Sequence, residues 1–513
     1  MARNIIIGSR GSDLALWQAN YVKDQLKTIG LSATIKIIKT KGDQIQHLSF
    51  DKIEGKGFFT KEIENELLSK EIDLAVHSLK DLETNQPQGL CIAAVPPRED
   101  PADCLLIHSK GFDLKQDLNL KVSAIVGTSS ARRKNQLLFF REDLQLKDLR
   151  GNVPTRVDKL RKGEYDAIVL AKAGLNRLDI DLKEFHVVNL SPHVFIPAPA
   201  QGALGLQVRD EDHFLKEQLK KLNDTNTSDS VHFERAILNQ LGGGCHSPFG
   251  AYSALDNIGN RQIWVTSSGE VNDIPTRCFG SNEIVEDIIS KLNNNKHSFK
   301  VWISRELSNK SAFKRLIEKA NGTITAQSLI SKEVVSLLSL PETDWVFVNS
   351  SFALDSITIH LEELREKKWA AFGKATASYL QKVGIEPTFI GEGSPKEVAQ
   401  QFFNKLGKEI VFIPSSNLSL GTVQELIPAS QKEVVTTYKT VYIKEKISDQ
   451  DCLVFTSPSN VEAYFLMNRY QNQKVVSIGP STTKALKEKG VQDVVETYES
   501  AELALADMVL SLF

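Results

Sequence analysis

At 513 residues the chain exceeds what one hydrophobic core supports, and roughly three to five domains are predicted. Hydrophobic residues at 41% and charged residues at 25% describe an ordinary globular protein. The 62 basic and 64 acidic side chains nearly cancel, which argues against a general affinity for nucleic acid or anionic membranes. A site for an anion must therefore draw on local positive charge.

The start, Met-Ala-Arg-Asn-Ile-Ile-Ile-Gly, lacks the apolar core of a signal peptide, and no run of about 18 apolar residues appears. A cytoplasmic chain that spans no membrane is expected. Cys91, Cys104, Cys245, Cys278 and Cys452 are odd in number and scattered, without Cys-x-x-Cys spacing. Neither a disulfide framework nor a structural zinc site is expected, and a reducing compartment fits.

In chain order, Asn4–Gly8 reads as a short buried strand, followed by Ser9-Arg-Gly-Ser12 and an amphipathic helix capped by Ser12, with Leu14, Trp17 and Tyr21 at helical spacing. Lys52 and Lys56 precede a helix predicted from about Thr60 to Ser69. Glu71–His77 reads as a strand delivering Ser78-Leu-Lys80-Asp81 at its carboxyl end, where α/β folds place chemistry. The first pattern returns at Ser123-Ala-Ile-Val-Gly127, then Thr-Ser-Ser-Ala-Arg-Arg133 and a helical run. Leu149-Arg-Gly-Asn-Val-Pro-Thr-Arg156 opens a helix with Pro154 in its first turn, and Asp166–Ala171 is a strand leading to Ala173-Gly-Leu-Asn-Arg177. A strand, a Gly/Ser turn and a helix with basic residues at its start form an anion-binding arrangement, because free N–H groups and the helix dipole both favour negative charge. Two copies predict two α/β domains facing a cleft.

Arg10, Arg132, Arg133, Arg150, Arg156 and Arg177 all fall at such junctions. Each alone reads as a solvated surface charge. Together, in a nearly neutral chain, they imply a ligand with many carboxylates, which the planar guanidinium fork binds in bidentate fashion. Asp81 is the acid at a strand end beside this field; it either serves a cationic intermediate or proton transfer, or pairs with Lys80. Cys245 follows three glycines in Leu241-Gly-Gly-Gly-Cys245. Such a backbone lets a bulky group approach the sulfur, although a glycine-rich turn with an incidental cysteine has the same sequence.

Gly8-Ser-Arg-Gly-Ser-Asp-Leu-Ala-Leu-Trp-Gln18, Gly55-Lys-Gly57, His77–Asp81, Gly127–Arg133, Leu149–Arg156, Ala198-Pro-Ala-Gln-Gly202 and Gly243-Gly-Cys245 together resemble the porphobilinogen deaminases over roughly residues 3–290. The resemblance implies two periplasmic-binding-protein-like α/β domains plus a small α+β domain. Their expected bounds are 1–98 with 197–218, 99–196, and 219–292. It also implies a dipyrromethane cofactor covalently attached to Cys245 and extended by four porphobilinogen units with release of ammonia. Asp81 is then the catalytic acid. Lys80, Ser129, Ser130, Arg132, Arg133 and Arg156 with Asp81 hold the cofactor, and Arg10, Ser12, Lys52, Lys56, Arg150, Arg156 and Arg177 bind substrate carboxylates. One departure is visible: Leu82-Glu-Thr follows Asp81 where the family commonly has a hydrophobic residue and proline, so the loop beyond the acid is longer or held differently.

Residues 293–300 read as a polar linker. Beyond them Asp344–Ser351 resembles Asp451–Pro458, and Ala370–Thr376 resembles Val476–Thr482, each at an interval of about 107 residues. Each half reads strand, Ser/Thr turn, helix, strand, Gly/Thr turn, helix: a two-lobed parallel α/β unit over 301–513, with lobes at 301–337 plus 442–513 and at 338–441. Phe455-Thr-Ser-Pro-Ser459, Ile478-Gly-Pro-Ser-Thr-Thr483 and Thr437-Tyr-Lys-Thr-Val441 resemble the uroporphyrinogen-III synthases. That resemblance implies cyclisation of hydroxymethylbilane with inversion of its last ring, without metal or organic cofactor. Tyr438 then assists loss of the hydroxyl, and Thr456, Ser457, Ser481 and Thr482 bind carboxylates; helix capping and strand packing demand the same residue types. A monomer is expected. A deaminase with a silent second half, or a solute-binding protein, are the alternatives.

Overall fold

The structure, a computed structural model, describes residues 3–40, 60–242, 247–293, 297–419 and 421–513. By its internal contacts the chain forms two units. The first comprises Met1–Lys300, Ser308–Ile324 and Thr497–Phe513; the second comprises Val301–Leu307 and Thr325–Glu496.

Unit 1 contains two five-stranded sheets built on one plan. In the first, Ser32–Ile37, Asn4–Ser9, Leu74–Ser78, Leu204–Arg209 and Leu90–Ala94 lie side by side in that order. The first three run parallel, and Leu204–Arg209 is antiparallel to both its neighbours. In the second the order is Gln145–Lys147, Ile125–Gly127, Ala167–Ala171, Asp103–Ile107 and His186–Leu190, with Asp103–Ile107 the antiparallel insertion. The inserted strand of each sheet follows a crossing from the other sheet, so the chain passes between them through residues 95–102 and again through 191–203. The strands are continuous apolar runs because both faces are covered: Leu105, Leu106, Ile107, Ala167, Ile168 and Val169 are fully buried.

The predicted helix starts are observed. Ser12 caps Asp13–Thr28, Ser130 caps Ala131–Phe140, and Asn152 caps Val153–Arg161 with Pro154 in its first turn. Asp81 lies in a single 3₁₀ turn, Leu79–Asp81, directly after the strand Leu74–Ser78. The small domain is an antiparallel sheet of Phe249–Leu255, Arg261–Ser267 and Thr276–Ser281, with helices Thr225–Gln240 and Val285–Asn293.

In unit 2 the repeated pattern is equally plain. Trp345–Val348 and Lys368–Ala371 each lead into a helix, Ser351–Asp355 and Lys374–Lys382, through Ser350 and Gly373. Cys452–Phe455 and Lys474–Ser477 do the same through Ser457 and Gly479, into Pro458–Met467 and Pro480–Glu488. The paired strands are parallel in both cases. One sheet also carries an antiparallel edge, where Ile330–Val334 pairs with the long strand Lys432–Tyr442. Among the described residues no helix is long and apolar enough to cross a membrane.

Candidate functional site

The site in unit 1 is organised by a buried carboxylate that begins a strand. Asp103, fully buried at the head of Asp103–Ile107, accepts from Arg132 at 2.8 Å, from Arg133 at 2.6 and 3.1 Å, and from the Gln201 amide at 2.9 Å. Burial pushes its carboxyl up, but the two guanidiniums overcome this and hold it well below the ordinary carboxylate range. Arg132 also donates to the Ile196 carbonyl at 2.8 Å, and Arg133 to that of Val169 at 3.0 Å. Asp103 thus fixes the first turn of the Ala131–Phe140 helix against both chain crossings.

Gln201 carries the network outward by accepting from the Lys80 ammonium at 3.3 Å. Its neighbour Gly202 has φ +88°, and a Cβ there would meet the Glu99 carbonyl oxygen at 2.3 Å, so the second crossing tolerates only glycine at this point. Burial, and then the nearby arginines against Asp81, push the Lys80 ammonium down to about 8. Burial and Arg133 push the Arg156 guanidinium down to about 10, while Asp81 opposes them. Asp81 itself is exposed. Lys80, Arg132, Arg133 and Arg156 therefore share a field with Asp81 and Asp103, an excess of two positive charges in this group. A ligand carrying several carboxylates fits this donor set; a cation does not.

The other predicted residues surround this centre in different ways. Ser129 accepts from the Leu149 amide and donates to the Leu149 carbonyl, both at 3.0 Å, joining the two basic loops. Ser12 and Ser130 act as helix caps. Arg10 and Arg150 are half-buried at strand and loop ends. Arg156 donates to the Gly151 carbonyl at 2.7 Å. Arg177 lies over the Trp17 ring at 5.7 Å and donates to the Gly202 carbonyl at 2.7 Å, buried by both. Cys245, Lys52 and Lys56 lie outside the described residues.

The helix Thr225–Gln240 ends five residues before Cys245 and is fastened at two points. Glu234, fully buried, receives Arg98 at 2.7 and 3.1 Å together with the Ala200 and Ser253 amides at 2.6 and 2.8 Å. Arg235 donates to the Leu79, Leu82 and Glu83 carbonyls at 2.8, 2.9 and 2.6 Å. A guanidinium of the small domain thus holds the loop that follows Asp81.

Asp103, Gln201, Arg98, Glu234 and Arg235 were not singled out from sequence. A usable signal was present for Asp103, which heads the otherwise apolar buried strand Asp-Cys-Leu-Leu-Ile.

In unit 2, Thr456 exchanges bonds with Ser304: its amide donates to the Ser304 hydroxyl at 2.8 Å and its hydroxyl to the Ser304 carbonyl at 3.1 Å. Ser457 caps its helix by accepting from the Asn460 amide at 3.2 Å. Ser481 is exposed and Thr482 buried, both in the first turn of Pro480–Glu488. Tyr438 is 9% exposed, packed edge-to-face on Phe352 at 5.0 Å with the Lys332 ammonium 5.9 Å from its ring.

Two sheets joined by paired crossings, with a cationic centre at those crossings and a small appended domain, define a multidomain α/β protein whose donor set suits an anionic ligand. Residues 5–217 match the family model described as porphobilinogen deaminase, dipyromethane cofactor binding domain, and 229–273 match the porphobilinogen deaminase C-terminal domain. Residues 311–505 match uroporphyrinogen-III synthase HemD. The porphobilinogen deaminase of Maridesulfovibrio salexigens is 48% identical over 257 residues, covering 50% of this chain and 82% of that protein. That of Clostridium novyi is 40% identical over 304 residues, covering 56% and 99%. A solved mutant uroporphyrinogen III synthase from Thermus thermophilus is 19% identical, with a TM-score of 0.33, over 42% of this chain and 98% of its own. The chain belongs to the porphobilinogen deaminase family and carries a uroporphyrinogen-III synthase domain after it, a bifunctional enzyme of tetrapyrrole synthesis.

Proposed function

We propose that unit 1 joins four porphobilinogen molecules on a dipyrromethane attached through Cys245, and that the second half closes the released hydroxymethylbilane to uroporphyrinogen III. The excess of positive charge around Asp81 carries this reading, because porphobilinogen and every product grown from it are polycarboxylates. When bound, the dipyrromethane supplies the pyrrole carbon on which the product is built.

The protein's own groups do the rest. Lys80, Arg132, Arg133 and Arg156 hold cofactor carboxylates, with Ser129 and Ser130 presenting the loop amides. Arg10, Ser12, Lys52, Lys56, Arg150, Arg156 and Arg177 orient the incoming substrate. Asp81, exposed beside buried cations, is suited to stabilise a cationic pyrrole and to take up or return its proton. The buried Asp103 keeps the two arginines fixed, so little reorganisation accompanies each addition. In the second half Thr456, Ser457, Ser481 and Thr482 present hydroxyls and first-turn amides to carboxylates, and Tyr438 assists hydroxyl loss. The enzyme is read as a cytoplasmic monomer.

Intact-mass measurement tests the first step. The purified chain is expected to exceed its sequence mass by one dipyrromethane, and Cys245→Ser to return it to the bare value. Unmodified wild-type chain after incubation with porphobilinogen would overturn the proposal.

A further inference from the structure

The last residues of the chain do not fold with the half that precedes them. Thr497–Phe513 and Ser308–Ile324 belong to unit 1, although they border or enter the synthase match at 311–505. The helix Glu502–Leu512 is apolar on every side, with Leu503 through Leu510 all buried, and it packs on the small-domain strand Thr276–Ser281 and on the helix Ala312–Lys319.

One acid lies within the buried run Leu503–Leu510. Asp507 is 1% exposed and meets Arg277 of that strand through a bidentate fork at 2.9 and 2.8 Å. Arg277 spends further donors on the His193 and Val194 carbonyls at 2.8 and 3.1 Å, in the second chain crossing. The Tyr498 hydroxyl donates to Asp507 at 2.8 Å, and its ring lies against Trp264 at 5.2 Å and Phe279 at 5.4 Å. His193 stacks on Trp264 at 4.2 Å. Glu502 accepts from the Ser311 hydroxyl and the Phe313 amide, and Arg315 of the same helix donates to the Phe139 carbonyl at 2.8 Å.

A buried pair of this kind adds little over well-packed apolar residues, but with every partner satisfied it admits one docking arrangement and penalises others. Arg277 lies beyond the deaminase match ending at 273, and Asp507 beyond the synthase match ending at 505. The pair lies outside the bounds of both family-model matches. We infer that Thr497–Phe513 is a structural part of the deaminase, locked by Asp507 and Arg277 onto the small domain and the crossing at His193–Val194. The first half of the chain then depends on the last segment for its integrity.

Hydrogen exchange on the full chain tests this without reference to catalysis. Amides of Glu502–Leu512 are expected to exchange in step with Thr276–Ser281 and Phe249–Leu255. Asp507→Asn should speed exchange in all three by about tenfold or more, while Val411–Ser416 of unit 2 stays unchanged. The double variant Arg277→Met, Asp507→Leu should recover most of the lost protection, since no charge is left unpaired. In the wild type, exchange of the helix in step with Val411–Ser416 instead would overturn the inference, as would an Asp507→Asn chain whose small domain is unaffected. Should Asp507→Asn fail to fold, the wild-type comparison and the double variant decide.

Discussion

Arg98 and Glu234 form a two-pronged ion pair, at 2.7 and 3.1 Å, between the first chain crossing and the helix that leads to Cys245. Glu234 is completely buried, so the cysteine-bearing domain is registered against the first crossing by a buried ion pair. Because the same carboxylate takes the Ala200 and Ser253 amides, it also fixes the residue next to Gln201.

Glu234→Gln is expected to cost about 3–5 kcal/mol, because it leaves the Arg98 guanidinium buried without its counter-charge. Urea unfolding followed by a probe in unit 1 measures this. Glu217→Gln, which breaks an exposed pair with Lys220, should leave the midpoint nearly unchanged in the same assay. Equal effects would show that burial does not set the strength of the Arg98 pair.

Asp81→Asn should leave the cofactor in place and reduce turnover of porphobilinogen by about 10²–10⁴-fold. The side chain is exposed, so the thermal transition should move little. A variant that turned over normally would remove Asp81 from the mechanism.

The Lys80 ammonium gives a pH signature in chain that lacks cofactor. Its folded value, about 8, lies below the ordinary 10.5. Between those values the unfolded chain binds more protons, so this group makes stability rise with pH across the window; below it the cost of the buried charge is fully present. Urea midpoints at both ends of the window, compared between wild type and Lys80→Met, should show a rise that the variant lacks. Cofactor carboxylates should pull the value back up and flatten the rise, whereas identical slopes in both chains would contradict the assignment.

Tyr438→Phe keeps the packing on Phe352 and removes only the hydroxyl. Cyclisation rate should fall about tenfold or more, with consumption of porphobilinogen unchanged. Unchanged cyclisation would assign Tyr438 to the core alone.

Much of the fold was legible in the sequence because local chemistry and topology agree. Ser12, Ser130 and Asn152 cap helices whose starts they announce, and the apolar strands of both sheets read as buried. The cationic loops were legible too, since Arg132, Arg133 and Arg156 stand beside strand ends. Their partners were not. Asp103 and Gln201 come from the two crossings, and only the antiparallel insertion of each sheet brings them to the arginines. The tie from Asp507 to Arg277 spans 230 positions and no motif marks either residue.

The isomer composition of the product tests the central claim most directly. Purified chain given porphobilinogen alone should yield mainly uroporphyrinogen of type III, with the share of type I rising when cyclisation by the second half is slowed, as predicted for Tyr438→Phe. Type I as the sole product of the intact chain would show that its second half does not close the tetrapyrrole, and would contradict two working activities on one polypeptide.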